Sequence, residues 1–340
     1  MAKTALVVSG GGSKGAFAVG ALRYIHENVQ PVDGFDVYCG TSTGALIVPL
    51  AACGDLALLE EQYTTLRQDD LVRLGNIGNL VLGLSVHDAA PLKRKIEELM
   101  TQARFDRLQA AGVPLFLATV CLQTQQLVYW ATRVPGAAPA GYEVMPIGSL
   151  VDLQRAMLAS SCQPVLMQPI EIRPGAVPVR QYVDGGVREV TPLQAAIDHG
   201  ADTIIALTLA PRQKTADPAE LTNAFAILAR TMDLFGEDVG SNDYRLARLY
   251  QKGNAYVQAV RGQLLAQGVA AATVAAAFDQ PASPFAGTAV TTIHEIRPET
   301  KLDEGGPGGL TFNPAAMRSM MAKGHAAAKA YFEALPALLA

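Results

Sequence analysis

Apolar residues in this chain follow two rhythms that take turns. The aliphatic run 4–9 (TALVVS) predicts a buried parallel strand, and the apolar residues Ala18, Leu22 and Ile25 recur at helical spacing within 15–29. The same order returns in a strand over 35–40 (FDVYCG) and a helix over 43–54 (TGALIVPLAACG), with Gly54 placed just past the helix end. Further strands are expected at 115–120, 127–131, 181–183, 203–209 and 290–296. Helical stretches are expected around 91–101, 150–159, 192–199, 219–235, 243–266 and 313–334. Strands alternating with helices imply a layered α/β fold around a mostly parallel central sheet flanked by helices, with a helical C-terminal portion. Three stretches read as loops: 75–90, 132–148 (with Pro135, Gly136, Pro139 and Gly141) and 298–310, which ends DEGGPGGL. With no internal repeat and no flexible linker, one domain over 1–340 is expected. Its motifs fall within about 4–210, and a helical and strand portion follows over about 211–340.

Composition narrows the function classes. Half of the 340 residues are hydrophobic and the formal net charge is −4, so the chain can bury a large core and carries no basic field for nucleic acid. Cys39, Cys53, Cys121 and Cys162 are scattered without a paired spacing, which indicates neither a zinc site nor a disulfide framework and suits a reducing, cytoplasmic compartment. The apolar start is too short for an export signal. The run 268–278 (GVAAATVAAAF) is too short to span a bilayer, so any membrane contact is expected to be peripheral.

The first turn, GGGSKG at 10–15, raises two readings: a cradle for a nucleotide phosphate or an oxyanion loop. Gly10, Gly12 and Gly15 match the dinucleotide fingerprint as a string. That fingerprint also needs an acidic residue at the far end of the next strand, whereas Asp33 precedes the strand and Asp36 opens it. A triphosphate loop needs Lys and then Ser or Thr after its last glycine, and Ala16 and Phe17 stand there. What does end the second strand is GTSTG: Gly40, Thr41, Ser42, Thr43 and Gly44. This G-x-S-x-G between a strand and a helix is the pattern of a nucleophile elbow, which lifts the serine hydroxyl at the top of a sheet. The bare pentapeptide also reads as a serine N-cap in a glycine-rich turn. The two turns end adjacent parallel strands, where amides of Gly11 and Gly12 can face an ester held against Ser42.

A nucleophilic serine needs a base. None of the five histidines lies in a motif: His26 falls on the first helix, on its surface; His87 lies in a loop; His199 and His325 lie near helix ends beside Gly200 and Gly324; and His294 sits within an apolar strand, as a core histidine does. Asp184, in YVDGGV (182–187), follows a short apolar run, although Asp-Gly-Gly alone is usually a turn.

Taken together, these pieces resemble the patatin-like phospholipases, a family of serine acyl hydrolases. GGGSKG (10–15) is similar to their oxyanion loop, GTSTG (40–44) to their elbow, and DGG (184–186) to the turn carrying their catalytic aspartate; ASSCQP (159–164) is similar to their A-S-x-x-x-P stretch. The resemblance implies a three-layer sandwich and a Ser42–Asp184 dyad without histidine. It also implies an oxyanion loop at Gly10, Gly11, Gly12, Lys14 and Gly15, an aspartate turn at Gly185 and Gly186, and a lipid or other acyl ester as substrate. No metal or cofactor is called for. Lys14 takes a place where the family has a basic residue, while VTP (190–192) stands where Asn-x-Pro is frequent. Within 75–90, residues Leu80, Val81, Leu82, Leu84 and Val86 line an acyl groove or form a lid on this reading, and simple packing on the alternative. The pairs Met320–Met321 and Leu338–Leu339 read as core contacts.

Three rivals stay open. One is an α/β-hydrolase triad adding His294 or His325, the only histidines late enough in the chain; another is an acyltransferase using the same serine. The third is a non-enzymatic module that binds nucleotide through the glycine loop.

Overall fold

The computed structural model describes residues 2–335 apart from 74, 76–84, 136–140, 214–215, 217–219, 223, 280–290, 303 and 305–308. Among the described residues eight strands form one sheet: β1 (Thr4–Val8), β2 (Val37–Thr41), β3 (Leu115–Cys121), β4 (Leu127–Ala131), β5 (Glu143–Pro146), β6 (Tyr182–Asp184), β7 (Thr203–Leu207) and β8 (Thr292–Ile296). Their order across the sheet is β5-β4-β3-β2-β1-β7-β8, and β6 pairs with β3. Only the β3–β4 and β3–β6 pairings are antiparallel, so the sheet is mostly parallel.

Strand alternation sorts the core into two layers of packing. Leu6 and Val8 of β1 face one side, where they join Phe17, Leu22 and Ile25 of α1 (Gly15–Asn28), Ile47 and Val48 of α2 (Thr43–Ala52), and Phe332. Ala5 and Val7 face the other, against Ala195 and Ala196 of α8 (Leu193–Asp198) and Tyr244 and Ala247 of the 43-residue α9 (Ala224–Ala266). Helices therefore cover both faces, the arrangement expected when parallel strands bury residues of either parity. The first layer is completed by α3 (Leu56–Thr65), α4 (Gln68–Leu71), α5 (Ala90–Leu99), α6 (Gln102–Ala111) and α7 (Leu150–Ser160); α10 (Ala271–Phe278) and α11 (Pro314–Glu333) follow α9. α11 lies against α1 where Gly20 and Gly324 let the backbones close up: a Cβ on either would fall 1.9 Å from a carbonyl oxygen of the other helix, that of Met321 or Phe17.

The structure corrects the sequence expectations in several places. The stretches 219–235 and 243–266 are one helix, because the glycine-bearing 236–242 does not break it: Gly240 packs on Val190, which helps offset the helical cost of a glycine. The loop expected over 132–148 contains β5, whose pairing with β4 outweighs the Pro and Gly nearby. Helices α3, α4 and α6 were not anticipated; on α6 only Phe105 and Leu108 are buried, too thin a stripe to read. The apolar run 268–278 forms the short α10. His325 lies well inside α11 rather than near its end, with its edge to Tyr24.

Of the core contacts anticipated near the C-terminus, Met320 is fully buried and Met321 packs against the same cluster, whereas Leu338 and Leu339 lie outside the described residues. So do Leu80, Val81, Leu82 and Leu84. Val86 is buried, and the backbone of 86–87 pairs with Val165 and Leu166.

Candidate active site

The register on β3 brings together two residues 142 positions apart in the chain. β2 runs parallel to β3 and ends with Thr41 opposite Ala118. β6 runs antiparallel to β3 and ends with Asp184 opposite Thr119. Because β4 occupies the other edge of β3, β2 and β6 share one edge and meet head-on. The residue that follows Thr41 is Ser42. Its hydroxyl lies near enough to the Asp184 carboxyl to favour the ionised form, and both side chains are buried.

Ser42 has φ 55° and ψ −123°, a strained conformation for a residue with a side chain, which costs about 1–3 kcal/mol and persists only when its surroundings hold it. Three contacts do so. Its N–H donates to Ser160 Oγ at 2.9 Å; its carbonyl accepts from Ala45 N at 2.9 Å and from Ser161 Oγ at 3.3 Å. The flanking glycines are a steric requirement: a Cβ on Gly40 would lie 2.5 Å from the Gly44 backbone, and one on Gly44 would lie 2.1 Å from Val8 O. Thr43 opens α2, and its hydroxyl shares a 2.5 Å hydrogen bond with Tyr63, directly beside Gly15. The positive end of the α2 dipole thus sits at Ser42.

The stretch 159–164 ties the two partners together. Ser160 donates to Ala118 O at 2.6 Å while accepting from Ser42, and Cys162 O accepts from Asp184 N at 2.9 Å. Sequence reading noticed this stretch only as a motif match; its serines act as the clamp between the elbow and the aspartate strand.

The Asp184 carboxylate accepts from Gly186 N at 2.8 Å and has the Ser42 hydroxyl near it. Burial pushes its pKa up to about 6, and the Gly186 hydrogen bond and the nearby Ser42 hydroxyl pull only partly in the other direction. No imidazole is among these partners. His294 instead lies 3.1 Å from Tyr331 OH through Nδ1, His26 Nδ1 accepts from Val32 N, His87 Nδ1 accepts from Gly75 N, and His199 Nδ1 lies 2.8 Å from Ala195 O.

The glycine loop 10–15 lies beside the elbow: a Cβ on Gly10 would be 3.2 Å from Ser42 Cβ. Its amides are not equivalent. That of Gly10 donates to Val190 O at 3.0 Å, that of Lys14 to Gly11 O, and that of Gly15 turns back to Gly12 and Ser13. Those of Gly11 and Gly12 meet no main-chain acceptor among the described residues. Gly12 has φ 58°, and a Cβ on it would fall 2.2 Å from Gly309 O, so this turn admits no side chain.

One supporting residue gave no signal in the sequence. Asp243 of α9 reaches in to accept from both Val190 N and Thr191 N at 2.9 Å, and Val190 O in turn holds Gly10. Asp243 therefore braces the backbone of VTP (190–192), where the resemblance had led us to expect Asn-x-Pro. Beside it Glu189 is buried, receives a hydrogen bond from Tyr129 OH, and is pushed up to about 8 by burial and by the charge of Asp243. Among the described residues no cluster of three or more His, Cys, Asp or Glu is placed to hold a metal ion, and no helix is long and apolar enough to cross a membrane.

Comparison with known proteins adds three findings. The family model for patatin-like phospholipase matches residues 6–197. The chain is 28% identical over 222 residues to "Uncharacterized protein YjjU" of Escherichia coli (strain K12), a match covering 64% of this chain and 54% of that protein, so the chain spans about half the length of this relative. Among solved structures, VipD from Legionella pneumophila superposes with a TM-score of 0.40 at 9% identity, covering 98% of this chain and 67% of VipD, a likeness too loose to bear on fold or function.

Proposed function

Because the chain belongs to the patatin-like phospholipase family, we propose that it is a lipid acyl hydrolase in which Ser42 attacks a carboxylic ester and Asp184 takes the serine proton. The observation that carries this reading is the meeting of β2 and β6 on one edge of β3, which sets the Ser42 hydroxyl beside a buried carboxyl whose pKa stands near 6. An exposed aspartate, with a pKa of about 3.9, is a feeble base; one raised to about 6 is ionised at neutral pH and still basic enough to accept a proton as the bond to carbon forms.

Ser42 Oγ adds to the ester carbonyl as its proton passes to Asp184. The amides of Gly11 and Gly12 and the N-terminus of α2 stabilise the oxyanion. Collapse of the adduct breaks the bond to the leaving alkoxide, which receives the proton from Asp184. Water then attacks the acyl-enzyme, gives its proton to Asp184, and releases the fatty acid as Ser42 recovers its proton. The same acyl-enzyme passes its acyl group to another acceptor if one reaches the site before water does. The encounter with lipid is peripheral, at a bilayer or micelle surface. The unit that acts is the whole chain as one domain, a reading supported by the docking of α11 on α1.

A fluorophosphonate probe tests the nucleophile. Labelling of the wild-type chain, lost in Ser42→Ala and reduced at least about a thousandfold in rate in Asp184→Asn, is the expected result, together with fatty acid release from phospholipid or lysophospholipid vesicles. Labelling that survives Ser42→Ala, or thermal stabilisation by nucleotides with no labelling at all, overturns the reading.

A further inference from the structure

Helix α9 presents two faces of different character. Gly240, Asp243, Tyr244, Ala247 and Asn254 lie along the side turned to the body of the protein. On the opposite side Ile227, Leu234, Phe235, Leu249 and Tyr256 are 50%, 52%, 66%, 65% and 71% exposed, and Leu246 projects beside them. At 100° per residue these side chains fall in one stripe. Phe235, Leu249 and Tyr256 keep a seven-residue register with Asn242 between them, and Ile227 and Leu234 are seven apart. A seven-residue spacing of apolar positions is the seam of two helices crossing at about 20°. Soluble chains seldom leave such a stripe open to water.

The charges on the stripe specify what covers it. Asp238 and Arg245 are both exposed, on the same line as the apolar residues and one heptad apart. Two copies of α9 laid antiparallel, with a two-fold axis between Ser241 and Asn242, bring Asp238 opposite the partner's Arg245. The same axis sets Leu234 opposite the partner's Leu249, Ile227 opposite the partner's Tyr256, and Phe235 near the partner's Leu246. Only small polar residues, Ser241 and Asn242, stand at the crossing. A parallel pairing in register would set Asp238 against Asp238 and Arg245 against Arg245. We propose that the outward face of α9 is a homodimer interface in which two copies of this chain pair antiparallel about that axis. The contact runs over residues 227–256, about 45 Å of helix, and leaves the two bodies on opposite sides of the helix pair. Self-complementarity of this kind is what a closed two-fold dimer requires.

Sedimentation velocity of the full chain over a micromolar concentration series is the test. The wild type is expected to be a dimer, and Leu249→Glu a monomer that keeps the far-ultraviolet circular dichroism of the folded chain and melts somewhat lower for want of its partner. Asp238→Arg alone and Arg245→Asp alone each set like charges together at both ends of the crossing and are expected to weaken the dimer at least about tenfold. The double variant Asp238→Arg with Arg245→Asp restores opposite charges across the axis and is expected to recover the dimer. A wild type that stays monomeric overturns the proposal, including one that instead cosediments through this stripe with phosphatidylcholine vesicles. So does a dimer indifferent to Leu249→Glu, or a double variant no tighter than either single one.

Discussion

Asp184 and Glu189 stand five positions apart, and both carboxyls are buried and held well above the usual carboxylate range. Their surroundings differ in kind. Asp184 ends a strand, with one oxygen on its own turn and a serine hydroxyl within reach. Glu189 lies among groups that stay put: Tyr129 donates to one oxygen, Gln194 N approaches the other at 3.4 Å, and Asp243 presses its charge from α9. Burial shifts a pKa at either place, but only the first faces the hydroxyl of the proposed nucleophile. A perturbed carboxyl is thus a candidate base only when its partner can react, and the 189–191 segment serves instead as scaffold for the glycine loop.

That contrast can be broken most forcefully at Asp184. Asp184→Asn keeps the shape and removes the base; ester turnover is expected to fall by about three orders of magnitude or more while the melting temperature holds or rises, since a buried charge has gone. Stopped-assay rates and a thermal melt on the same sample check it. Gly12→Ala comes next. Its methyl meets Gly309 O in a left-handed turn, so turnover is expected to drop about a hundredfold through misplacement of the two available amides, with a modest loss of stability.

Asp243→Ala, on the scaffold side, leaves two main-chain donors without their acceptor. It is expected to cost about 1–3 kcal/mol by chemical denaturation and about tenfold in kcat with KM nearly unchanged, and Asp243→Asn, which keeps an acceptor oxygen, is expected to recover most of both. Titration sharpens the comparison further. Since Asp184 must be ionised to act, kcat/KM is expected to rise through about pH 6. For Glu189 the folded value, about 8, lies above the unfolded one, about 4.3, so its neutral form contributes stability fully below about pH 4 and loses it as pH climbs towards 8. The melting temperature is expected to decline between pH 5 and 8, and Glu189→Gln to flatten that slope without altering the kinetic midpoint near 6. The smallest effect belongs to the histidines: replacing His26, His199, His294 or His325 singly is expected to leave turnover within about twofold, and a large loss at His294 would point to a triad instead.

What the sequence disclosed was mostly what glycine discloses. Gly12, Gly40 and Gly44 stand where a side chain would run into a carbonyl or the neighbouring backbone, so the loop and the elbow are written in composition itself. The alternation of strand and helix gave the layers for the same reason: parity and helical spacing are local. The supports were less visible. Ser160 acts through a hydrogen bond across 118 residues, and Asp243 reaches a segment 53 residues away from a helix whose glycines made it look broken. Nothing next to either residue marks those partners. β5 was hidden by Pro and Gly close by, although pairing with β4 decides its conformation.

The head-on meeting of β2 and β6 on a single edge of β3 has a consequence for how competence arises. The first 150 residues hold Ser42 and the glycine loop, yet the carboxyl that faces Ser42 arrives only when the later strand closes the gap at Thr119. A chain still emerging from the ribosome carries the Ser42 hydroxyl without the Asp184 carboxyl beside it. On the proposed reading, hydrolytic capacity therefore waits on completion of the sheet.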